Sequence, residues 1–293
     1  MVVITQQDAA ERVSPAFKGL KGKLLFKLVT DITGIAKVNA LHDRVDKTGV
    51  SYGPPFAKAI LDEVGIDFRI GNPERLDALP EGPFIVIANH IYGHIDGICL
   101  LDIFGRQRPE TKVMVNEMLT WIPGLAPSFI AVNPVTAANK GVISDTSING
   151  VKNALLQLRE GGPLCLFPSG AVADLKPREH WTLSERDWQD AAIRLIRKAR
   201  VPVVPVRFFD RNSRFYYALG LIDYRLRFIR LFHEVFNKRG TCPRVGIGAP
   251  ITVEQQEQYP DLQAFKAFLR SSVYDMPLPE TFVNRSRIWK SSK

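Results

Sequence analysis

The stretch from Phe84 to Gly97 constrains this chain more than any other. Phe84-Ile85-Val86-Ile87-Ala88 is an apolar run that stops at Asn89-His90, passes through Gly93 and reaches Asp96 ahead of a second apolar segment, Ile98 to Phe104. The first run is rich in β-branched residues and too short for a membrane span, so it reads as a buried strand. The second reads as a helix, with Asp96 near its start, where the macrodipole favours an anion. A histidine at a strand end beside a carboxylate at a helix start is a general base with an orienting partner.

The rest of the chain repeats the alternation. Pro15 to Val64 reads as helical, broken near Lys47 to Pro55 by a Gly/Pro turn cluster. Strands are predicted over Ile66 to Ile70, Lys112 to Val115, Phe129 to Val132, Pro163 to Phe167, Val201 to Phe208 and Arg244 to Ile247. Asp145 is expected to cap a helix running to Glu160, where Gly161-Gly162 marks the stop, and Ser184 to cap one reaching Ala199. Leu262 to Ser272 is the last clear helix. Strands alternating with helices predict an α/β fold, its sheet covered on both faces. The simplest parse is an N-terminal helical extension (1–65), one catalytic domain (66–275) and a basic C-terminal tail (276–293).

Charge bears on partners. The formal net charge is +9, and it is clustered. Lys18, Lys21, Lys23 and Lys27 form one group. Arg225, Arg227, Arg230, Lys238, Arg239 and Arg244 form a second, and Arg285, Arg287, Lys290 and Lys293 a third. An anionic partner is expected. Leu24, Leu25, Phe26, Leu28 and Val29 interleave with lysines at helical spacing, as in a helix lying on a membrane surface. Leu219 to Phe236 repeats the arrangement, and there a core-facing helix with solvated arginines fits equally well. Nothing resembles an RNA-binding aromatic motif or a DNA-reading helix pair, so nucleic acid is not expected. No run approaches the roughly 20 apolar residues of a membrane span, and Met1 to Arg12 lacks the order of a secretory signal. The expected location is cytoplasmic, on the inner face of the membrane. Cys99, Cys165 and Cys242 are widely spaced in apolar or small-residue surroundings and read as buried free thiols.

His90 and Asp96 have five residues between them, which is not a same-face helical spacing. They meet only if the chain turns, and Gly93 permits the turn. Two other readings stay open: His90 as a loop residue with Asp96 as an N-cap, and His90, His94 and Asp96 as metal ligands. Gly93 disfavours a helix carrying both histidines, so no metal is expected.

Asn89-His90 through Asp96-Gly97 after a strand resembles the first signature block of the glycerolipid acyltransferase superfamily, the PlsC-like enzymes. Phe129-Ile130-Ala131-Val132-Asn133 occupies the place of the second block. Phe167-Pro168-Ser169-Gly170 resembles the third, and Val201-Pro202-Val203-Val204-Pro205-Val206 the fourth. Order and spacing match over roughly residues 65 to 255. Two departures narrow the branch. Common members have four residues between His and Asp, and a Glu-Gly-Thr-Arg third block. This chain has five, and reads Ser169-Gly170-Ala171-Val172. The longer spacing with Gly inside it, together with Asp210 to Phe215 and Leu226 to Arg239, is similar to the lyso-ornithine lipid and hemolysin-like O-acyltransferases.

The resemblance implies a mixed, largely parallel sheet flanked by helices, and acyl transfer to a lysolipid hydroxyl from an acyl carrier protein or coenzyme A thioester, with no bound cofactor. It implies His90 as base and Asp96 as its partner. Asn89, Gly93, Phe167, Pro168, Ser169 and Gly170 would line the substrate site, with backbone N–H groups around Gly170 as candidate oxyanion donors. Lys176, Arg178, Arg207 and Arg211 are candidates for contacting acidic groups, and each also fits a solvated surface charge. The missing Glu and Arg of the third block favour an aminolipid acceptor of the lyso-ornithine type over a glycerol phosphate. Acylation of lysophosphatidic acid, and a catalytically silent lipid-binding protein, are the alternatives.

Overall fold

The computed structural model describes residues 5–12, 14–133 and 144–288. The N-terminal part is helical: α1 (Gln6–Arg12), α2 (Gly19–Thr33), α3 (Ile35–Asp46) and α4 (Pro54–Val64). Then follow β1 (Arg69–Gly71), β2 (Ile85–Ala88), α5 (His94–Phe104), β3 (Lys112–Asn116), β4 (Phe129–Val132), α6 (Asp145–Arg159) and β5 (Leu164–Leu166). A small hairpin, β6 (Asp174–Lys176) and β7 (Thr182–Ser184), precedes α7 (Asp190–Ala199) and β8 (Val203–Phe208). The chain closes with α8 (Arg214–Ile222), α9 (Tyr224–Asn237), β9 (Arg244–Ile247), α10 (Val253–Glu257), α11 (Leu262–Tyr274), β10 (Phe282–Asn284) and α12 (Arg285–Ile288).

Among the described residues, eight strands form one sheet in the order β10-β1-β9-β8-β2-β5-β3-β4. From β8 to β4 every pairing is parallel, whereas β9 runs antiparallel to β8 and β10 antiparallel to β1. The mixed, largely parallel α/β sheet of the sequence reading is the fold observed.

The period-two geometry of a strand explains why β2 is apolar throughout. Phe84, Val86 and Ala88 pack into a core on one face, with Phe56, Leu101, Phe104 and Val235. Ile85 and Ile87 pack into a second core on the other face, with Ala154, Ile193, Phe265 and Leu269. Burying one such side chain contributes about 1.5–3 kcal/mol, so a polar residue anywhere in β2 would be costly. A strand sealed on both faces can present chemistry only at its end, and the site lies there.

Several local expectations are corrected. Ser144, not Asp145, caps α6: its hydroxyl accepts from the Ser147 N–H. Ser184 ends β7, and α7 begins after Gln189, which gives no side-chain cap. Cys99 and Cys165 are buried free thiols, but Cys242 is exposed. Leu219 to Phe236 is two helices broken at Asp223, and much of it is core: Leu231 and Val235 are buried, and Arg227 is sealed in an ion pair with Asp174. The side chains of Arg225, Phe228 and Ile229 lie outside the described set. At the C-terminus, β10 pairs with β1, and Arg285 is buried. Its guanidinium bonds Asp102 at 2.8 Å, the Ile66 carbonyl at 3.1 Å and Asp62. Arg285 is therefore an internal clasp rather than a solvated basic residue; Lys290 and Lys293 lie outside the described residues.

The first amphipathic segment behaves differently. On α2, Leu20, Leu24, Leu28 and Ile32 stand four residues apart and face outward, Leu20 at 85% and Leu24 at 73% exposure. Phe26 turns inward instead, its ring edge-on to Phe17. The end of α2 is tied to α9 where His233 Nε2 meets the Ile32 carbonyl at 3.0 Å. Among the described residues no helix is long and apolar enough to cross a membrane.

Candidate active site

The site begins where β2 runs out. Asn89, first beyond the strand, is buried, and both ends of its amide are engaged by Phe208. Its Nδ2 donates to the Phe208 carbonyl at 2.9 Å, and its Oδ1 accepts the Phe208 N–H at 2.7 Å. This side chain extends the β2–β8 ladder past its last pair, Ala88↔Val206. Asn89 thus joins two strand ends, and both ends of its amide are engaged by the fold.

Beyond it the chain reverses. Gly93 takes φ 84° and caps α5, so Asp96 falls in the first turn of that helix, with its carboxylate folded back over the loop. Asp96 Oδ2 accepts from the backbone N–H groups of Tyr92 at 2.9 Å and Gly93 at 3.0 Å, and meets His90 Nδ1 at 2.9 Å. Asp96 is fully buried, while 19% of the His90 side chain reaches solvent. Two backbone donors at the helix N-terminus fix the position of the carboxylate against the imidazole. An anion at Nδ1 selects the tautomer with its proton there, which leaves Nε2 as the basic nitrogen on the open side. Asn212 Nδ2 donates to the Ile91 carbonyl at 3.0 Å and steadies the same loop.

The other signature residues arrive from β5. Phe167 stacks on the His90 ring, centroids 4.3 Å apart and planes 23° from parallel. The Pro168-Ser169-Gly170 turn then closes on itself. The Gly170 N–H donates to the Phe167 carbonyl at 3.0 Å, and Ser169 Oγ donates to the Ala171 carbonyl at 3.0 Å. The Pro168 carbonyl accepts from the Gln189 N–H at 2.9 Å, and the Ser169 carbonyl from Gln189 Nε2 at 3.2 Å. Gly170, at φ 63°, is required by this turn, and its own N–H is not free for an oxyanion.

The basic candidates scatter. Arg207 is turned to the C-terminal segment, its guanidinium donating to the carbonyls of Tyr274 and Met276. Lys176 pairs with Glu179 at 3.3 Å on the β6–β7 hairpin, and Arg178 is exposed at its tip. Arg211 is exposed. None of the four is bonded to His90 or Asp96. His94 is the first residue of α5 and is half-buried, its ring stacked on Phe232 with centroids 4.5 Å apart. Burial, with the nearby His90 adding to it, lowers its pKa to about 4, so it is neutral at ordinary pH.

Sequence reasoning missed the groups that grip the His90 backbone. Its N–H donates to the carboxylate of Glu185, and its carbonyl accepts the Ala173 N–H at 2.8 Å. Glu185 is buried, and its second oxygen accepts from Trp188 Nε1 at 3.4 Å. Glu185 stands among charged residues far along the chain, and nothing in its neighbourhood marks it as internal. Arg227 was visible only as one charge in a basic cluster; here it donates to the Ala173 carbonyl at 3.3 Å and pairs with Asp174.

Comparison with known proteins places the chain beside acyltransferases in sequence. Residues 67–208 match the family model described as Acyltransferase. A lyso-glycine lipid O-acyltransferase of Bacteroides thetaiotaomicron is 27% identical, over 75% of this chain and 84% of that protein. A lyso-glycine lipid O-acyltransferase of Phocaeicola vulgatus is 25% identical, over 75% of this chain and 81% of that protein. The matched family interval runs from just before β1 to the end of β8, so it contains His90, Asp96, the Phe167 turn and Glu185.

Proposed function

The chain carries an acyltransferase-family domain, and from that premise we propose that it transfers a fatty acyl group from a thioester to the hydroxyl of a lysolipid with an amino-acid headgroup. The observation that carries the reading is the 2.9 Å contact of His90 Nδ1 with the buried, backbone-anchored Asp96. In this scheme His90 Nε2 removes the proton from the acceptor hydroxyl as its oxygen attacks the thioester carbonyl. Asp96 holds the tautomer and stabilises the imidazolium. The tetrahedral intermediate collapses with loss of the thiolate, which takes the proton back from His90. A positioned general base of this kind supplies about 10² to 10⁴ in rate.

Two features support an aminolipid acceptor. The third block lacks the Glu and Arg that the wider superfamily uses for a glycerol phosphate, and the two relatives are both named for a glycine lipid. The lyso-ornithine type remains the specific expectation from the motif, with lyso-glycine lipid beside it. Acyl carrier protein and coenzyme A both fit a basic surface as donor carriers. The outward leucines of α2, flanked by exposed Lys21, Lys23 and Lys27, support work at an anionic membrane surface.

The test offers purified protein radiolabelled acyl thioesters on both carriers with a panel of lyso-ornithine lipid, lyso-glycine lipid and lysophosphatidic acid. Acylation of an aminolipid, abolished by His90→Ala, supports the reading. Transfer confined to lysophosphatidic acid replaces the acceptor, and no transfer to any lysolipid rejects the function.

A further inference from the structure

The β6–β7 hairpin holds the proposed base from both sides. The residue before β6, Ala173, donates its N–H to the His90 carbonyl, and the residue after β7, Glu185, accepts the His90 N–H. One hairpin thus sets both peptide groups of a single residue, and with them the direction of its side chain.

The choice of a carboxylate for this task needs a reason. A backbone N–H is satisfied by any neutral acceptor, and an ionised acid withdrawn from water is expensive. Glu185 is 2% exposed, and burial pushes its carboxyl up, opposed by its donors and by the charge of His90. The groups packed around it are His90, the Trp188 indole and, from α11, the Tyr274 phenol, with Arg270 beside that ring. An amide would bond the N–H at lower cost. What only the carboxylate adds is negative charge beside an imidazole that becomes cationic during proton transfer.

We propose that Glu185 is a positioning residue for acyl transfer: it locks the His90 backbone so that Nδ1 meets Asp96, and its charge steadies the imidazolium. This rests on the general-base reading of His90. Glu185 touches no reacting atom and acts only through His90.

The experiment compares wild type, Glu185→Gln and His90→Ala in the purified full chain, with acyl thioester and the best lysolipid of the panel. Folding is checked by thermal unfolding. Glu185→Gln should lower kcat about 10-fold or more while KM for both substrates stays within about threefold, since no substrate contact is lost. The acid limb of its kcat/KM profile should move to lower pH, because a base without its neighbouring anion is harder to protonate. A folded Glu185→Gln enzyme with an unshifted acid limb overturns the proposal, as does a change confined to KM. If Glu185→Gln does not fold, Trp188→Phe decides. It removes the N–H that Glu185 accepts and also shrinks a buried ring, so thermal unfolding is measured beside the kinetics; kcat per folded molecule should fall several-fold at constant KM, and an unchanged kcat overturns the proposal. Activity in His90→Ala would instead overturn the general-base reading, whatever Glu185 does.

Discussion

Leu231 of α9 occupies the space where a side chain on Gly93 would begin: a Cβ placed there would lie 2.7 Å from Leu231 Cδ1. Gly93 also has φ 84° and ψ −115°, a conformation that residues with a side chain rarely adopt. Its N–H bonds Asp96, so the turn that brings His90 to Asp96 depends on the missing Cβ twice over. Gly93→Ala should destabilise the protein by roughly 2–5 kcal/mol, combining backbone strain with overpacking. Adding Leu231→Ala should relieve the clash and leave the strain. Urea unfolding of the single and double variants checks this, and equal stability of Gly93→Ala and wild type would contradict it.

His90→Ala should abolish acyl transfer with little effect on melting, because a partly solvated loop side chain packs little core. Asp96→Asn should slow turnover at least ~10²-fold through loss of tautomer control and charge. It should also cost about 1–2 kcal/mol, since Asp96 is the charged acceptor for the Tyr92 and Gly93 N–H groups. Single-turnover kinetics and calorimetry on the same preparations separate the two effects.

His94 predicts a pH dependence of stability. Its pKa falls from 6.5 in the unfolded chain to about 4 in the native state, through burial first and the charge of His90 second. Between those values the unfolded chain binds a proton that the native state refuses. Stability is therefore full above pH 6.5 and falls as pH drops towards 4, by up to about 3 kcal/mol. Glu185 has the opposite sign, because its raised carboxyl binds a proton in the native state first. Urea midpoints at pH 7.5 and 5 should differ in wild type and differ less in His94→Gln.

On α2 the outward residues, rather than the inward Phe26, should carry membrane contact. Leu24→Ser with Leu28→Ser should leave the melting temperature unchanged and reduce binding to anionic liposomes, chiefly the part that survives high salt. Lysines near such a surface contribute about 1 kcal/mol each, and salt screens them. Apolar insertion, at roughly 25 cal/mol per Å², is not screened. Sedimentation with vesicles across a salt series reads both parts, and liposome binding indifferent to these substitutions would remove α2 from the membrane.

Arg285→Met should destabilise the chain by about 3 kcal/mol, the lower range for breaking a buried ion pair. Asp102 keeps Arg106, at 2.9 Å, as a remaining partner. Turnover per folded molecule should stay near wild type, since the clasp joins β10 and α12 to α4 and α5 without touching the His90 loop. Activity normalised to the folded fraction tests this.

The strand–turn–helix from Phe84 to Phe104 was legible in the sequence because each of its signals is local. β-branched residues fill a strand buried on both faces, Gly93 supplies a conformation closed to other residues, and Asp96 sits where a helix N-terminus favours an anion. Those three facts determined the strand end and the turn, and allowed the meeting of His90 with Asp96 that the tertiary structure shows. The α/β class followed from repetition of the same period, and the lysine spacing marked α2 as amphipathic without separating the outward Leu24 and Leu28 from the inward Phe26.

Whatever depended on partners distant in sequence was decided by the tertiary structure. Asn89 reads as a site residue until Phe208, 119 positions away, engages both ends of its amide. Arg207 reads as a candidate for contacting an acidic group, and Arg227 and Arg285 as members of basic clusters, yet each is turned inward to carbonyls or carboxylates on other elements. Glu185 gave no signal at all, although it reaches the His90 backbone across 95 residues. The physical reason is common to all of them. Secondary structure follows from a residue's own backbone preferences and near neighbours, but a polar side chain's role depends on which donor or acceptor remains unsatisfied when the sheet closes, and the chain's linear order does not record that pairing.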